Sequence, residues 1–410
     1  MQASRPAMRS LDDALAELLG HAQPLSGMEQ VSTFDAQGRV LAEDIVSALQ
    51  VPHLDNSAMD GYALRCADVP QTGTVLRVTQ RIPAGSVGTD LLAGTAARIF
   101  TGAPIPPGAD AVVMQEDCEP VAPGTEIRVL WVPTSGQWIR RSGEDVRRGD
   151  RVLAAGRRLD PQSLGLAASV GRPQLLVRAR PRVALFSTGD ELVMPGAVAP
   201  SDLPPGAIYN SNRFFLRGLL QRLGCTVTDL GIVPDQRAAT IEALRAAAQH
   251  HDLVLTSGGV SVGEEDHVKP AVAELGRLDL WQIAIKPGKP FAYGRIDAAH
   301  FMGLPGNPVS SFVTFLMLVR PFLLALQGAT DLAPPGQPMR ADFSWPRADR
   351  RREFLRARRN AQGGLDLFPN QSSGVLTSMV WADGLVDNPP GCTVAVGDTV
   401  RFLPLAELLG

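Results

Sequence analysis

Apolar residues Leu11, Leu15, Leu18 and Leu19 recur at helical spacing behind Ser10 and stop at Gly20, predicting a short capped helix. From about residue 46 to 145 the spacing shortens to β-prone runs at 75–79, 97–100 and 111–114. Turns such as Ile82-Pro83-Ala84-Gly85 and Pro106-Pro107-Gly108 separate them, the texture of a small all-β module. Between about 181 and 327 the rhythm changes. Buried-strand runs at 183–186, 226–229, 253–256, 281–285 and 301–304 alternate with helical spacing over 212–223, 238–249 and 268–275 and from Pro308 onward. Such alternation predicts a doubly wound, mostly parallel sheet. After Thr330 short β segments return as far as Leu403. The expected fold is therefore multidomain α/β and β: a central doubly wound α/β domain (179–328), an inserted small β domain (46–145) and a C-terminal β domain (329–410).

Length agrees, since 410 residues exceed one compact core. A hydrophobic content of 45% against 20% charged residues is that of a globular chain. The net charge of −3 gives no global attraction to nucleic acid or to an anionic membrane, so any anion site must be local. The four cysteines are scattered, with no pair spaced to grip zinc, which fits a reducing cytoplasm. No secretory leader is visible at residues 1–10. The apolar run 312–326 is interrupted by Arg320 and Pro321, short of the ~20 residues a membrane span needs. Alternation of Leu355 and Ala357 with Arg356 and Arg358 predicts a half-exposed strand with a solvated basic face.

In an open parallel sheet ligands bind at the carboxyl ends of strands. Three loops fall at such places: Ser187-Thr188-Gly189-Asp190-Glu191, Ser257-Gly258-Gly259-Val260-Ser261 running on to Glu264-Glu265-Asp266, and Pro305-Gly306-Asn307-Pro308. Paired glycines let backbone N–H groups converge on an oxyanion, and Ser257 and Ser261 add hydroxyls. Three carboxylates then follow at once, and they would repel a phosphate. Mg²⁺, which binds one or two carboxylates together with substrate phosphates, resolves the conflict. A plain glycine turn with an acidic helix start is the competing reading. Asp190 and Glu191, after another strand, open onto the same sheet edge and favour a site. Lys286-Pro287-Gly288-Lys289-Pro290 offers two lysines on a stiffened loop for phosphate neutralisation. Asn307 either caps the helix that Pro308 begins or donates to a ligand, capping being the ordinary role. The segment Asp55-Asn56-Ser57-Ala58-Met59-Asp60-Gly61-Tyr62 is unusually dense in polar groups. There is no Gly-x₄-Gly-Lys-Ser/Thr loop and no Gly-x-Gly-x-x-Gly fingerprint, which argues against ordinary NTPase and dinucleotide sites.

In order, Asp55–Tyr62, Thr101-Gly102-Ala103-Pro104, Gly143-Glu144-Asp145, Ser187–Glu191, Ser257–Gly263 with Asp266, Lys286–Pro290 and Gly303–Pro308 resemble the motifs of the MoeA-type molybdopterin molybdenumtransferases, relatives of the gephyrin E domain. The resemblance implies insertion of molybdate into adenylylated molybdopterin, with Mg²⁺-dependent release of AMP. It implies functional roles for Asp60, Thr101, Asp145, Glu191, Asp235 and Asp266, with metal binding at Glu191 and Asp266. Substrate contacts would come from Ser187, Thr188, Gly189, Asp190, Ser257, Gly258, Gly259, Ser261, Lys286, Lys289, Pro305, Gly306, Asn307 and Pro308. It further implies a cytoplasmic homodimer of four-part subunits, 1–45 with 146–178 forming an elongated linker domain, and transient contact with other proteins of molybdenum cofactor synthesis. The competing functions are molybdopterin adenylyltransferase or nucleotide pyrophosphatase on the same central domain, and, in another class, a partner-binding scaffold. No nucleic-acid or membrane partner is expected.

Overall fold

The computed structural model describes residues 8–259 and 267–409. Ser10 accepts a hydrogen bond from Asp13 N and so caps the helix Leu11–His21, which buries Leu11, Ala14 and Leu18. In the inserted segment, six short strands form one sheet in which Gly61–Leu64 lies between Ala111–Met114 and Thr95–Ile99. Flanking pieces of chain meet across it, Met28–Ser32 pairing antiparallel with Gln174–Arg178.

The central unit builds β1 (Arg182–Thr188), α1 (Asn212–Arg222), β2 (Thr226–Val233), α2 (Arg237–His250), β3 (Leu253–Ser257) and α3 (Val268–Leu275). There follow β4 (Gly276–Gln282), β5 (Ile285–Lys286), β6 (Pro290–Ile296), β7 (Ala299–Leu304) and α4 (Pro308–Leu326). Its sheet runs β2-β1-β3-β7-β6-β4. The first four strands are mutually parallel, and β6 alone runs against the rest. Residues of β1 and β3 are buried on both faces, hence their unbroken apolar runs.

One expectation fails here. The run 281–285 is not one strand: β4 ends at Gln282, and β5 instead pairs with Arg352–Arg359 of the C-terminal sheet. Strand β6, hidden behind a Pro/Gly-rich lead-in, was not expected. Pro290 sits at its first position, where proline is tolerated. The helix expected from Pro308 runs through Pro321. A π-helical turn at Phe315–Val319 precedes it, so α4 continues for 19 residues. By length and composition α4 could cross a membrane, but most of it is buried within the protein, and Arg320 donates to the carbonyls of Leu408 and Leu332.

The C-terminal sheet (order β5, Arg352–Arg359, Gly384–Asn388, Thr399–Pro404, Gln337–Arg340) corrects the basic-face reading. Arg356 is only 1% exposed, with its guanidinium donating to Ser378 Oγ and to the carbonyls of Phe354 and Ser372. Burial without a carboxylate partner lowers its pKa to about 10.

Candidate functional site

A cleft of about 770 Å³ opens at the carboxyl ends of β1, β3 and β7. Thr188 and Gly189 line it after β1, Ser257, Gly258 and Gly259 after β3, and Pro305, Gly306, Asn307 and Pro308 after β7. The three motif loops thus converge, as strand order demands. Backbone geometry explains the glycines. Gly258 and Gly259 have φ of +93° and +69°, and a Cβ on Gly259 would lie 2.4 Å from Val268 Cγ2. On Gly258 it would lie 2.8 Å from the Thr188 carbonyl oxygen. No other residue lets the loops approach this closely.

Two further segments complete the wall. Before α1, the Asn210 side chain accepts from Arg213 N, taking over the capping role and leaving Asn212 free to turn inward. Asn212 Nδ2 donates to Ser257 Oγ and to the Gly306 carbonyl, both at 2.7 Å. From the C-terminal unit, the Ser373 carbonyl accepts from Val309 N at 3.0 Å, and Gly374 reaches the cleft. Asn210, Ser211, Asn212 and Gly374 are not among the site residues that the sequence points to. Asn210-Ser211-Asn212 ahead of a helix does carry a capping signal, whereas Gly374 carries none.

The electrostatics are lopsided. Glu191 and Asp235 line the cleft, and no lysine or arginine does so among the described residues. The Asp190 carboxylate accepts from Asp235 N at 3.4 Å, tying the two acidic loops together, but lies outside the lining. No cluster of three or more His, Cys, Asp or Glu side chains could hold a metal among the described residues.

The remaining residues scatter. Ser187 is buried, with its hydroxyl unpartnered. Asn307 precedes α4, but its side chain makes no capping bond, so the ordinary capping role is not realised. Lys286 Nζ lies 2.9 Å from Glu353 Oε1 and 3.3 Å from Asp349 Oδ2, away from the cleft lining. Lys289 is exposed. Asp60 and Thr101 meet in turns at the edge of the inserted sheet, just before Gly61–Leu64 and just after Thr95–Ile99: the Asp60 carboxylate accepts from Thr101 N at 2.8 Å and Thr101 Oγ1 at 2.7 Å. Those bonds hold the Asp60 carboxyl below the usual carboxylate range. Asp145 is exposed, its backbone N–H bonded to the Val51 carbonyl. Ser261, Glu264, Glu265 and Asp266 lie outside the described residues.

Comparison with known proteins covers nearly the whole chain. Residues 9–171 match the MoeA N-terminal region (domain I and II), 184–325 a "Probable molybdopterin binding domain", and 338–405 the MoeA C-terminal region (domain IV). The molybdopterin molybdenumtransferase of Haemophilus influenzae is 40% identical over 98% of this chain and 100% of its own length. Molybdopterin molybdenumtransferase 2 of Mycobacterium tuberculosis is 37% identical over 97% of this chain and 100% of its own. The crystal structure of the molybdopterin biosynthesis moeA protein from Pyrococcus horikoshii superposes with a TM-score of 0.84 at 29% identity, over 97% of this chain and 100% of that one.

Proposed function

The chain belongs to the MoeA-type molybdopterin molybdenumtransferases, enzymes of molybdenum cofactor biosynthesis, and we propose that its cleft holds adenylylated molybdopterin while molybdate enters the dithiolene and AMP is released with Mg²⁺. The observation that carries this reading is the cleft's composition: hydrogen-bonding loops from three strand ends together with the Glu191 carboxylate. On this reading a metal offsets the repulsion between a pyrophosphate-linked ligand and Glu191.

Glu191, in the cleft, is the metal's carboxylate on this reading, and Asp266 its partner by sequence alone. Mg²⁺, when bound, supplies charge neutralisation at the pyrophosphate. The chain's own residues do the rest. Ser257 and Asn307 present side-chain donors to phosphate oxygens, and the rigid turn Pro305–Pro308 gives the pterin a wall of low ordering cost. The soft sulfur ligands of molybdenum belong to the pterin, consistent with a cleft that no cysteine lines among the described residues. Homodimerisation, a cytoplasmic setting and transient contact with other cofactor-synthesis proteins belong to the same proposal.

The test follows AMP release from adenylylated molybdopterin with and without molybdate and Mg²⁺. Release should require both, and Glu191→Gln should slow it by a factor on the order of 10²–10³, as loss of a transition-state charge contact does. Equal release without molybdate would instead indicate a pyrophosphatase. ATP-dependent adenylylation of molybdopterin would indicate the transferase that acts one step earlier.

A further inference from the structure

Asn212 is 8% exposed at the start of α1, and its amide joins the two glycine loops that follow the neighbouring strands β3 and β7. One of its acceptors is the Gly306 carbonyl, which can only accept. That fixes the amide nitrogen, rather than the oxygen, as the atom facing both partners. With both N–H bonds used, one falls on Ser257 Oγ. A hydroxyl that accepts there keeps its own proton for another acceptor. Ser257 lines the cleft, so that proton is available to a ligand oxygen.

We propose that Asn212 is a positioning residue for this reaction: it polarises Ser257 into a hydrogen-bond donor toward a phosphate or molybdate oxygen in the cleft. This rests on the proposed function, because it needs an oxyanion in the cleft. It also accounts for Asn at this position, since an aspartate of the same shape would reverse the polarity. Its carboxylate would accept the hydrogen bond of the Ser257 hydroxyl, leaving none for a ligand, and would repel the Gly306 carbonyl.

The experiment is a double-mutant cycle on the full chain, reading molybdate-dependent AMP release and thermal unfolding together. Ser257→Ala alone should lower kcat/KM by about 10- to 100-fold, the worth of a hydrogen bond to a charged group. Asn212→Asp should cost at least as much in the wild-type background. In the Ser257→Ala background it should cost little further turnover, although its effect on unfolding persists. A merely structural Asn212 would cost activity equally in both backgrounds, and that result overturns the proposal. So does an Asn212→Asp protein with wild-type kcat/KM. If Asn212→Asp does not fold, Asn212→Ala is carried through the same cycle, with the same non-additivity required. Absence of molybdate-dependent release from the wild type would sink the functional reading itself, and this inference with it, whereas additive losses in an active enzyme sink the inference alone.

Discussion

At the scale of single residues, the cleft depends on where a side chain cannot be. Gly259 combines a left-handed φ with a Cβ position already taken by Val268 Cγ2. Gly306, in the loop after the neighbouring strand β7, has nothing within 4 Å of its Cβ position. Gly259→Ala should therefore cost about 1–3 kcal/mol of stability through backbone strain and displace the loop. Gly306→Ala should stay within about 0.5 kcal/mol of wild type. Urea unfolding of the two variants decides it, and equal effects would refute the packing argument. Paired glycines after a strand were legible in the sequence because their freedom is a residue property. The burial of Arg356 was not. A period-two pattern reports which faces alternate, but the loop carrying Ser372 and the turn of Ser378 cover the face that the pattern leaves to solvent.

At the scale of elements, the helix Leu11–His21 docks on the central sheet through a buried aromatic stack. His21 stacks on Tyr293 at 4.9 Å, Tyr293 Oη meets His300 Nδ1 at 3.0 Å, and His300 abuts Phe322 of α4. Burial, with Arg295 and His21 nearby and Asp252 opposing, lowers the His300 pKa from 6.5 to about 4. Between those pH values the unfolded chain takes a proton that the folded one refuses. His300 thus removes stability as pH falls from 6.5 to about 4, by about 3 kcal/mol in all, and the slope vanishes above and below that window. His300→Gln should flatten this part of a stability-against-pH curve; an unchanged slope would show that other groups set it. Most elements of the central unit were legible because each strand and helix has one period. The β4–β5 break was not, since leaving one sheet for another is a tertiary event. It also diverts Lys286, which read as a phosphate contact. Joined to Arg352–Arg359, β5 brings its ammonium to the buried Glu353, and the apparent anion loop becomes a tie between sheets.

At the scale of the whole molecule, the difficulty is that Asp60 and Thr101, paired at the edge of the inserted sheet, contribute nothing to the lining of the cleft, nor does any described residue from 46 to 145. Their pairing shows that two residues singled out from separate motifs share one spot, which the sequence could not reveal across 41 positions. A homodimer that presents this spot to the partner's cleft would reconcile the two halves, as closed twofold assemblies allow. The consequence is measurable. Asp60→Asn and Glu191→Gln proteins, each strongly impaired alone, should complement when their subunits are co-expressed in equal amounts. Random pairing makes about half the dimers mixed, and one cleft in each mixed dimer then has both groups intact, so about a quarter of wild-type turnover should return. Complementation cannot arise if Asp60 serves the cleft of its own chain, because every cleft in the mixture would then lack one group or the other. Mixing the purified proteins without subunit exchange should likewise restore nothing, which separates assembly across the twofold from any artefact of expression.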